Sequence, residues 1–171
     1  PWYAGSYPSG GPVEDMLWVW KAAAPSFFTI APDIYVPYVS EIMEKYTRPD
    51  NPLVIPEVRK DAVTASYALY AYLNCHALCY APFGIEDLWQ KEPDVIPKEV
   101  TEALNIDPLS FDMTGTKETL GEVYRLLGEI KSLYLRYRGT THLKCFLKNA
   151  VSAATGWNAN GSRGCVRVGR K

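Results

Sequence analysis

Short apolar runs alternate along the chain with segments whose apolar residues recur at helical spacing. Short runs of β-branched and aromatic residues are typical of buried strands, and a spacing of three or four residues is typical of helices. The pattern predicts strands over 27–36, 53–58 and 77–83, and helices over 13–24, 38–46, 62–73 and 116–137, with a shorter helical piece over 98–104. Since strands that alternate with helices form parallel sheets with helices on both faces, we expect an α/β fold.

The number of strand–helix units limits the architecture further. A chain of 171 residues accommodates one domain with a hydrophobic core. Three such units make up part of a (β/α)8 TIM barrel, which needs about 250 residues when it is complete. The expected fold class is therefore α/β, a partial (β/α)8 TIM barrel with parallel strands. From about residue 155 the composition changes to Gly, Asn, Ser and Arg without periodicity, which is typical of a disordered terminus.

Charge and composition exclude several classes of partner. The formal net charge is −1 and the pI is about 6.2, so no overall field would attract nucleic acid or an anionic membrane. No apolar run approaches the roughly 20 residues that a membrane span requires. No glycine-rich loop follows a strand in the way that phosphate binding needs. The sequence therefore predicts no nucleic-acid partner, no membrane association and no cofactor.

Two of the four cysteines lie close to a histidine. Cys75 and Cys79 flank His76, a spacing that suggests a metal site. This stretch has the pattern of a helix end that runs into a strand, where two ligands would not converge easily. We therefore expect structural thiols and no metal.

A carboxylate or a tyrosine stands at the carboxyl end of the first two predicted strands. Asp33 and Tyr35 end the first strand, and Glu57 directly follows the apolar residues of the second. In a (β/α) barrel the active site lies at this edge, so these side chains are candidates for chemistry. Glu57 is the strongest candidate, because a carboxylate at the end of an apolar strand is costly to bury without a partner.

Other interpretations of the same residues remain open. Glu57 could form a structural ion pair with Arg59 or Arg48, and Asp33 could serve as a capping or strand-end acceptor. Asp87 lies in a loop after the third strand, where a solvated carboxylate is the default expectation. The 12 tyrosines and 5 tryptophans fit a ring-rich core as well as a site in which sugar rings stack on aromatic faces.

One resemblance is more specific than any of these patterns. The run APDIYVPYVSEIMEKYTRPDNPLVIPEVRKD, followed by CYAPFGIED, is similar to the later strands of clan A glycoside hydrolases, above all the β-galactosidase-like proteins of family 35. The similarity extends in softer form from Trp2 to the helix that ends near Gly139. It implies that 1–139 is the C-terminal part of a TIM-barrel catalytic domain, containing approximately strands six to eight, and that 140–171 is a truncated or disordered tail.

The resemblance also implies roles for individual residues. Glu57 would be the nucleophile of a retaining glycosidase, and Tyr35 would lie beside it and hold it ionised by a hydrogen bond. The family supplies the general acid from an Asn-Glu pair on the fourth strand, which this chain is expected to lack. The remaining candidates for substrate binding are Asp33, Trp2, Tyr7, Phe83 and Trp89.

Two functional hypotheses follow. In the first, the chain is a fragment of a β-galactosidase-like hydrolase that cleaves β-linked glycosides when the full barrel is present; whether the chain itself is an enzyme stays open, because the acid is expected to be absent. In the second, it is a non-catalytic carbohydrate-binding or vestigial barrel fragment. A carbohydrate is the expected ligand in either case, and open barrel edges would favour self-association.

Overall fold

The computed structural model describes residues 12–89, 96–104, 106–147 and 165–168, the last of these by backbone alone. Three strands form a parallel sheet in the order β1–β2–β3, with bounds Asp33–Ile34, Val54–Val58 and Cys79–Pro82. The helices are α1 Leu17–Ala23, α2 Val39–Tyr46, α3 Thr64–Leu73, α4 Lys98–Ala103, α5 Thr116–Glu129 and α6 Lys131–Tyr137. Short 3-10 helices cover Glu14–Met16, Ile85–Trp89 and Pro108–Phe111. The predicted α/β class with parallel strands is confirmed for this sheet.

The main hydrophobic core lies between the sheet and the helices that follow its strands. Its fully buried members include Ile34 of β1, Met43 of α2 and Ile55 of β2. Helix α3 is buried along most of its surface, as its nearly uniform apolar sequence predicts. It packs against α2, α5 and the strand β4, Leu143–Phe146.

The first strand is much shorter than predicted, because an asparagine side chain takes the place of a neighbouring strand. The fully buried Asn51 accepts a hydrogen bond from Ile30 N at 2.8 Å and donates to Ile30 O at 3.0 Å. It also donates to Tyr46 O at 2.9 Å, which ties the end of α2 to the same point. Pro32 has no N–H to give to a ladder. Regular pairing is therefore confined to Asp33–Ile34.

The predicted helix over 116–137 is divided in two. It begins at Thr116, as expected, and α5 ends before Ile130, whose backbone leaves the helical region at φ −89° and ψ 4°. Gly128 precedes this break and lowers the helix propensity there. Helix α6 ends at Tyr137, and Gly139 adopts φ +79°, the left-handed conformation that commonly follows a helix end.

Part of the segment expected to be a truncated or disordered tail carries secondary structure. Strand β4 pairs in antiparallel register with β5, Cys165–Val168. Leu143 and Cys145 are buried against α3 and α5. The side chain of Asn74 exchanges two hydrogen bonds with the backbone of Cys145, at 2.7 and 2.9 Å. These contacts attach residues 143–146 to the main body of the fold.

We predict that Asn51→Ala destabilises the protein by about 2–4 kcal/mol, because the change leaves buried backbone groups of Ile30 and Tyr46 without partners. The free energy of unfolding from urea titration, followed by circular dichroism, measures the effect. Asp50→Ala, at the neighbouring exposed position, is the control and should leave the midpoint unchanged. Equal midpoints for the two variants would contradict the role of Asn51.

Candidate functional site

The carboxyl edge of the parallel sheet brings together the three residues that the sequence singles out. Asp33 on β1 lies in register with Glu57 on β2, and Tyr35 follows directly after β1. Asp33 is exposed, whereas Glu57 and Tyr35 are half-buried. Because adjacent parallel strands end at the same edge, a local sequence pattern on each strand is sufficient to assemble the group.

An irregularity in β2 sets the direction of Glu57. Ile55 pairs with Tyr80, and Val58 pairs with Pro82, so β2 advances three residues while β3 advances two. The extra residue gives β2 the character of a β-bulge, which changes the phase of side-chain alternation. Ile55 and Val58 are consequently both buried, with Glu57 half-buried between them. Pro56 lies within this irregular stretch, where its missing N–H does least harm.

Glu57 receives a hydrogen bond from Tyr35. The Tyr35 hydroxyl donates to Glu57 Oε1 at 2.6 Å, a hydrogen bond that the family resemblance implied. Burial raises the pKa of Tyr35 well above its usual range, and so do the hydrogen bond to Glu57 and the nearby charges of Glu57 and Asp33. Tyr35 therefore keeps its proton and stays a donor to the carboxylate at all physiological pH values.

The alternative ion pairs for Glu57 are not formed. Arg59 binds Asp61 through two contacts of 2.7 Å, and it binds Asp107 at 2.8 Å. Arg48 pairs with Asp50 at 2.9 Å on the surface. Among the residues that the structure describes, no basic side chain forms a salt bridge with Glu57. The hypothesis of a structural ion pair with Arg59 or Arg48 is therefore wrong.

Asp33 and Glu57 form a pair of like charges on adjacent strands. Although the residue is exposed as a whole, partial burial of its carboxyl group raises the pKa of Asp33, and the charge of Glu57 raises it further. A carboxyl group whose pKa is raised by a second carboxylate beside it is an arrangement that recurs in sites for acid–base chemistry.

Two phenylalanine rings surround Tyr35. The ring of Phe111 stacks on Tyr35 at a centroid distance of 5.4 Å and an interplanar angle of 23°. Phe83 meets Tyr35 edge-on at 6.4 Å and 72°. Phe83 is 44% exposed, so part of its surface is available to a ligand.

A buried charge network fixes the segment that carries Phe111. Arg59 bridges Asp61 and Asp107, and Asp107 N donates to Tyr35 O at 2.8 Å. Ser110 Oγ donates to the same carbonyl at 3.2 Å. The backbone on which the Tyr35 ring is mounted is therefore held by residues more than 70 positions further along the chain.

The other candidates lie in different surroundings. Trp89 ends the 3-10 helix after β3, is 67% exposed, and has the ammonium of Lys117 5.1 Å from its ring centroid. Trp2 and Tyr7 lie outside the described residues. The position of Asp87 in a loop predicted a solvated carboxylate, and this prediction is wrong. The Asp87 side chain is largely buried and pairs with the ammonium of Lys60. Lys60 makes the burial of Asp87 possible, because a buried carboxylate without a cationic partner would be costly.

Sequence reasoning missed Lys60, Phe111 and Asp107. All three act through contacts across long stretches of chain, which periodicity does not reveal. A local signal was present for one of them: Asp107-Pro108 is a typical start of a helical turn, and the Asp107 carboxylate accepts from Leu109 N at 3.1 Å.

Within residues 12–89, 96–104 and 106–147, no three His, Cys, Asp or Glu side chains gather in a way that could hold a metal ion. Cys75 and Cys79 are free thiols. The helices in the described part of the chain include none long and apolar enough to cross a membrane. No protein-family model matches the chain, and a search of curated proteins found no match.

We predict that Asp33→Asn stabilises the protein at neutral pH. Because the pKa of Asp33 is raised on folding, its favourable contribution exists below the ordinary aspartate range, near pH 4, and is lost as the pH rises through the folded-state value. The neutral amide removes repulsion with Glu57, so we expect a gain of about 0.5 kcal/mol or less at pH 7 after solvent screening, and none at pH 3. Thermal unfolding at both pH values measures it.

The matched control is Asp50→Asn. The pKa of Asp50 is lowered by its hydrogen bond to Arg48, so this substitution removes an attraction and should give no gain at either pH. A stabilisation by Asp33→Asn that persists undiminished at pH 3 would show that it does not arise from the carboxylate pair.

Proposed function

We propose that the chain supplies the nucleophile side of a retaining glycoside hydrolase site that acts on β-linked galactosides. In this proposal β1, β2 and β3 correspond to strands six, seven and eight of a (β/α)8 barrel, and Glu57 is the catalytic nucleophile. The proposal rests on the residue motifs shared with β-galactosidase-like proteins of family 35 and on the geometry at the carboxyl edge of the sheet.

The observation that carries the proposal is the hydrogen bond of 2.6 Å from Tyr35 to Glu57. A nucleophilic carboxylate must be ionised, directed at a reacting carbon, and free of a cation that would neutralise it. Tyr35 supplies a neutral donor to the Glu57 carboxyl group, and the two cations close to it in sequence, Arg48 and Arg59, are bound to other carboxylates. A structural carboxylate at this position would more commonly be paired with a cation.

The chemistry then follows the two steps of a retaining mechanism. A carboxylate oxygen of Glu57 forms a bond to the anomeric carbon, and the bond from that carbon to the aglycone oxygen breaks as a general acid protonates the leaving oxygen. Water, deprotonated by the same acid group, then cleaves the glycosyl ester and releases Glu57. The two carboxyl groups must lie about 5–5.5 Å apart, and we assign the acid to a strand outside the described sheet.

Exposed rings provide the apolar contacts that a sugar needs. Phe83 contacts Tyr35 and is 44% exposed, and the exposed ring of Trp89 lies at the end of the 3-10 helix that follows β3. The C–H faces of a pyranose pack on such rings, while Asp33 is positioned to accept hydrogen bonds from hydroxyl groups.

The test is covalent labelling with a 2-deoxy-2-fluoro-β-galactoside that carries a dinitrophenolate leaving group. This leaving group departs as a stable anion, so the first step needs the nucleophile but no general acid. We expect the sugar to be attached to Glu57, detected by intact mass and peptide mapping, with no labelling of Glu57→Gln. Tyr35→Phe should slow labelling by roughly 10- to 100-fold, the effect of losing one hydrogen bond to a charged group.

Asp50→Asn is the matched control, because it removes a carboxylate away from the sheet edge and should label at the normal rate. Labelling at another carboxylate, or equal labelling of Glu57→Gln, would overturn the assignment of the nucleophile. Binding of galactose without any labelling would instead favour the non-catalytic carbohydrate-binding hypothesis.

A further inference from the structure

A buried ammonium lies behind the rings that surround Tyr35. Lys60 follows two residues after β2, and its side chain is 1% exposed. Its Nζ atom lies 5.7 Å from the ring centroid of Phe83 and 6.0 Å from that of Phe111. These are the same two rings that contact Tyr35. Tyr35, Phe111, Lys60 and Phe83 thus form a closed cycle of contacts.

Backbone hydrogen bonds connect the same segments as these side-chain contacts. Lys60 N donates to Ser110 O at 2.8 Å, which fixes the 3-10 helix that carries Phe111. Phe83 N donates to Val58 O at 2.9 Å, which fixes the end of β3 against β2. Both rings are therefore attached to the segment that contains Glu57 and Lys60, through side chains and through backbone.

The charge of Lys60 is balanced by Asp87, which pairs with it from the 3-10 helix after β3. The turn that allows this approach is made by Gly84, which adopts φ +55°, and a Cβ atom there would collide with the Asp87 carboxylate. A buried ion pair of this kind is often no more stabilising than apolar residues of the same size, whereas breaking it by removing one partner is costly. The main effect of the Lys60–Asp87 pair is therefore on geometry: it fixes the positions of the ammonium and of the two phenylalanine rings next to it.

We propose that Lys60 is a positioning residue for the nucleophile. With Asp87 as its counter-ion, Lys60 fixes Phe83 and Phe111, these rings fix the plane of Tyr35, and Tyr35 thereby directs its hydroxyl at Glu57. The part that concerns catalysis rests on the proposed function, but the physical chain from Lys60 to the Tyr35 hydroxyl does not.

A purely structural role makes a different prediction. If Lys60 only stabilises the fold, its replacement lowers the free energy of unfolding but leaves the environment of Tyr35 unchanged in the molecules that remain folded. If Lys60 positions Tyr35, replacement weakens the hydrogen bond of Tyr35 to Glu57 within the folded protein. The two roles are therefore separated by a spectroscopic signal of Tyr35 itself.

The experiment measures the NMR signal of the tyrosine ring carbon that bears the hydroxyl, in protein labelled with carbon-13 at that atom. Tyr35→Phe assigns the resonance, and Glu57→Gln gives its position when the charged acceptor is lost. The test variant is Lys60→Met/Asp87→Asn, which removes both charges and leaves neither buried alone. We expect the Tyr35 signal to move in the direction seen for Glu57→Gln, and Lys60→Arg to restore most of the original position.

Three further measurements complete the design. The signal of the fully buried Tyr80, whose hydroxyl lies 2.7 Å from Thr64 Oγ1, should not move and shows that the fold is retained. Lys131→Met, at an exposed lysine on α6, should leave Tyr35 unchanged. If the double variant does not fold, Lys60→Gln/Asp87→Asn carries the test, because it also removes both charges but leaves two polar side chains that can bond to each other, and we expect a smaller displacement in the same direction.

The labelling assay then tests the link to catalysis. Lys60→Met/Asp87→Asn should slow the glycosylation of Glu57 by roughly 10- to 100-fold, the scale of a small misplacement of a reacting group. In a Tyr35→Phe background the same change should have no further effect. An unmoved Tyr35 signal in a folded variant would overturn the positioning role, whereas a wild-type chain that is never labelled overturns the proposed function and leaves the spectroscopic result to stand.

Discussion

The guanidinium of Arg59 is the contact on which the arrangement of the sheet edge depends. It lies 4% exposed between Asp61, on its own segment, and Asp107, which is 48 residues away. Because a buried cation must be surrounded by acceptors, the chain can reach its folded state only by bringing the segment that begins at Asp107 back to the end of β2. That return delivers Phe111 to Tyr35 and Ser110 to Lys60. The ring cluster around Tyr35 is in this sense a consequence of satisfying one buried charge.

Five largely buried ionic groups, two cations and three carboxylates, lie close to the half-exposed Glu57. Arg59 forms salt bridges with Asp61 and Asp107, and Lys60 forms one with Asp87. These paired charges, which we call the framework charges, stabilise the fold around the sheet edge. Glu57 and Asp33 face each other without a cation among the described residues, and burial together with this repulsion raises the pKa of Asp33. The framework charges are paired with opposite charges, whereas Asp33 and Glu57 repel each other, and a perturbed carboxyl group of this kind is a candidate for a functional site.

Local sequence patterns predicted the parts of this structure that local forces decide. The helix periodicity of α2 and α3 and the apolar runs of β2 and β3 were sufficient, since each element buries a continuous face. The pattern over 27–36 failed because the side chain of Asn51 takes over the pairing of Ile30, and no periodicity encodes that exchange. The apolar spacing also did not predict the break at Ile130, because the apolar residues of α5 and α6 keep the spacing of one continuous amphipathic helix.

The same division applies to the site. Glu57, Asp33 and Tyr35 were recognisable because the ends of adjacent parallel strands meet, so two short motifs predict one location. Lys60 and Asp107 were not, since their partners are 27 and 48 residues away and only the tertiary fold brings them together. Asp87 was misjudged for the same reason: its sequence context is that of a loop, and its burial is made possible by Lys60, which follows a different strand.

The extra residue in β2 has a consequence for how this site tolerates change. The side of β2 from which the Glu57 side chain projects depends on the number of residues between Ile55 and Val58. It does not depend on the identity of the neighbouring side chains. Substitutions around Glu57 can therefore alter the shape and polarity of its surroundings while its direction is conserved. A single-residue deletion in this stretch would reverse that direction at once. The length of the stretch from Ile55 to Val58 is thus constrained independently of the side chains that it carries.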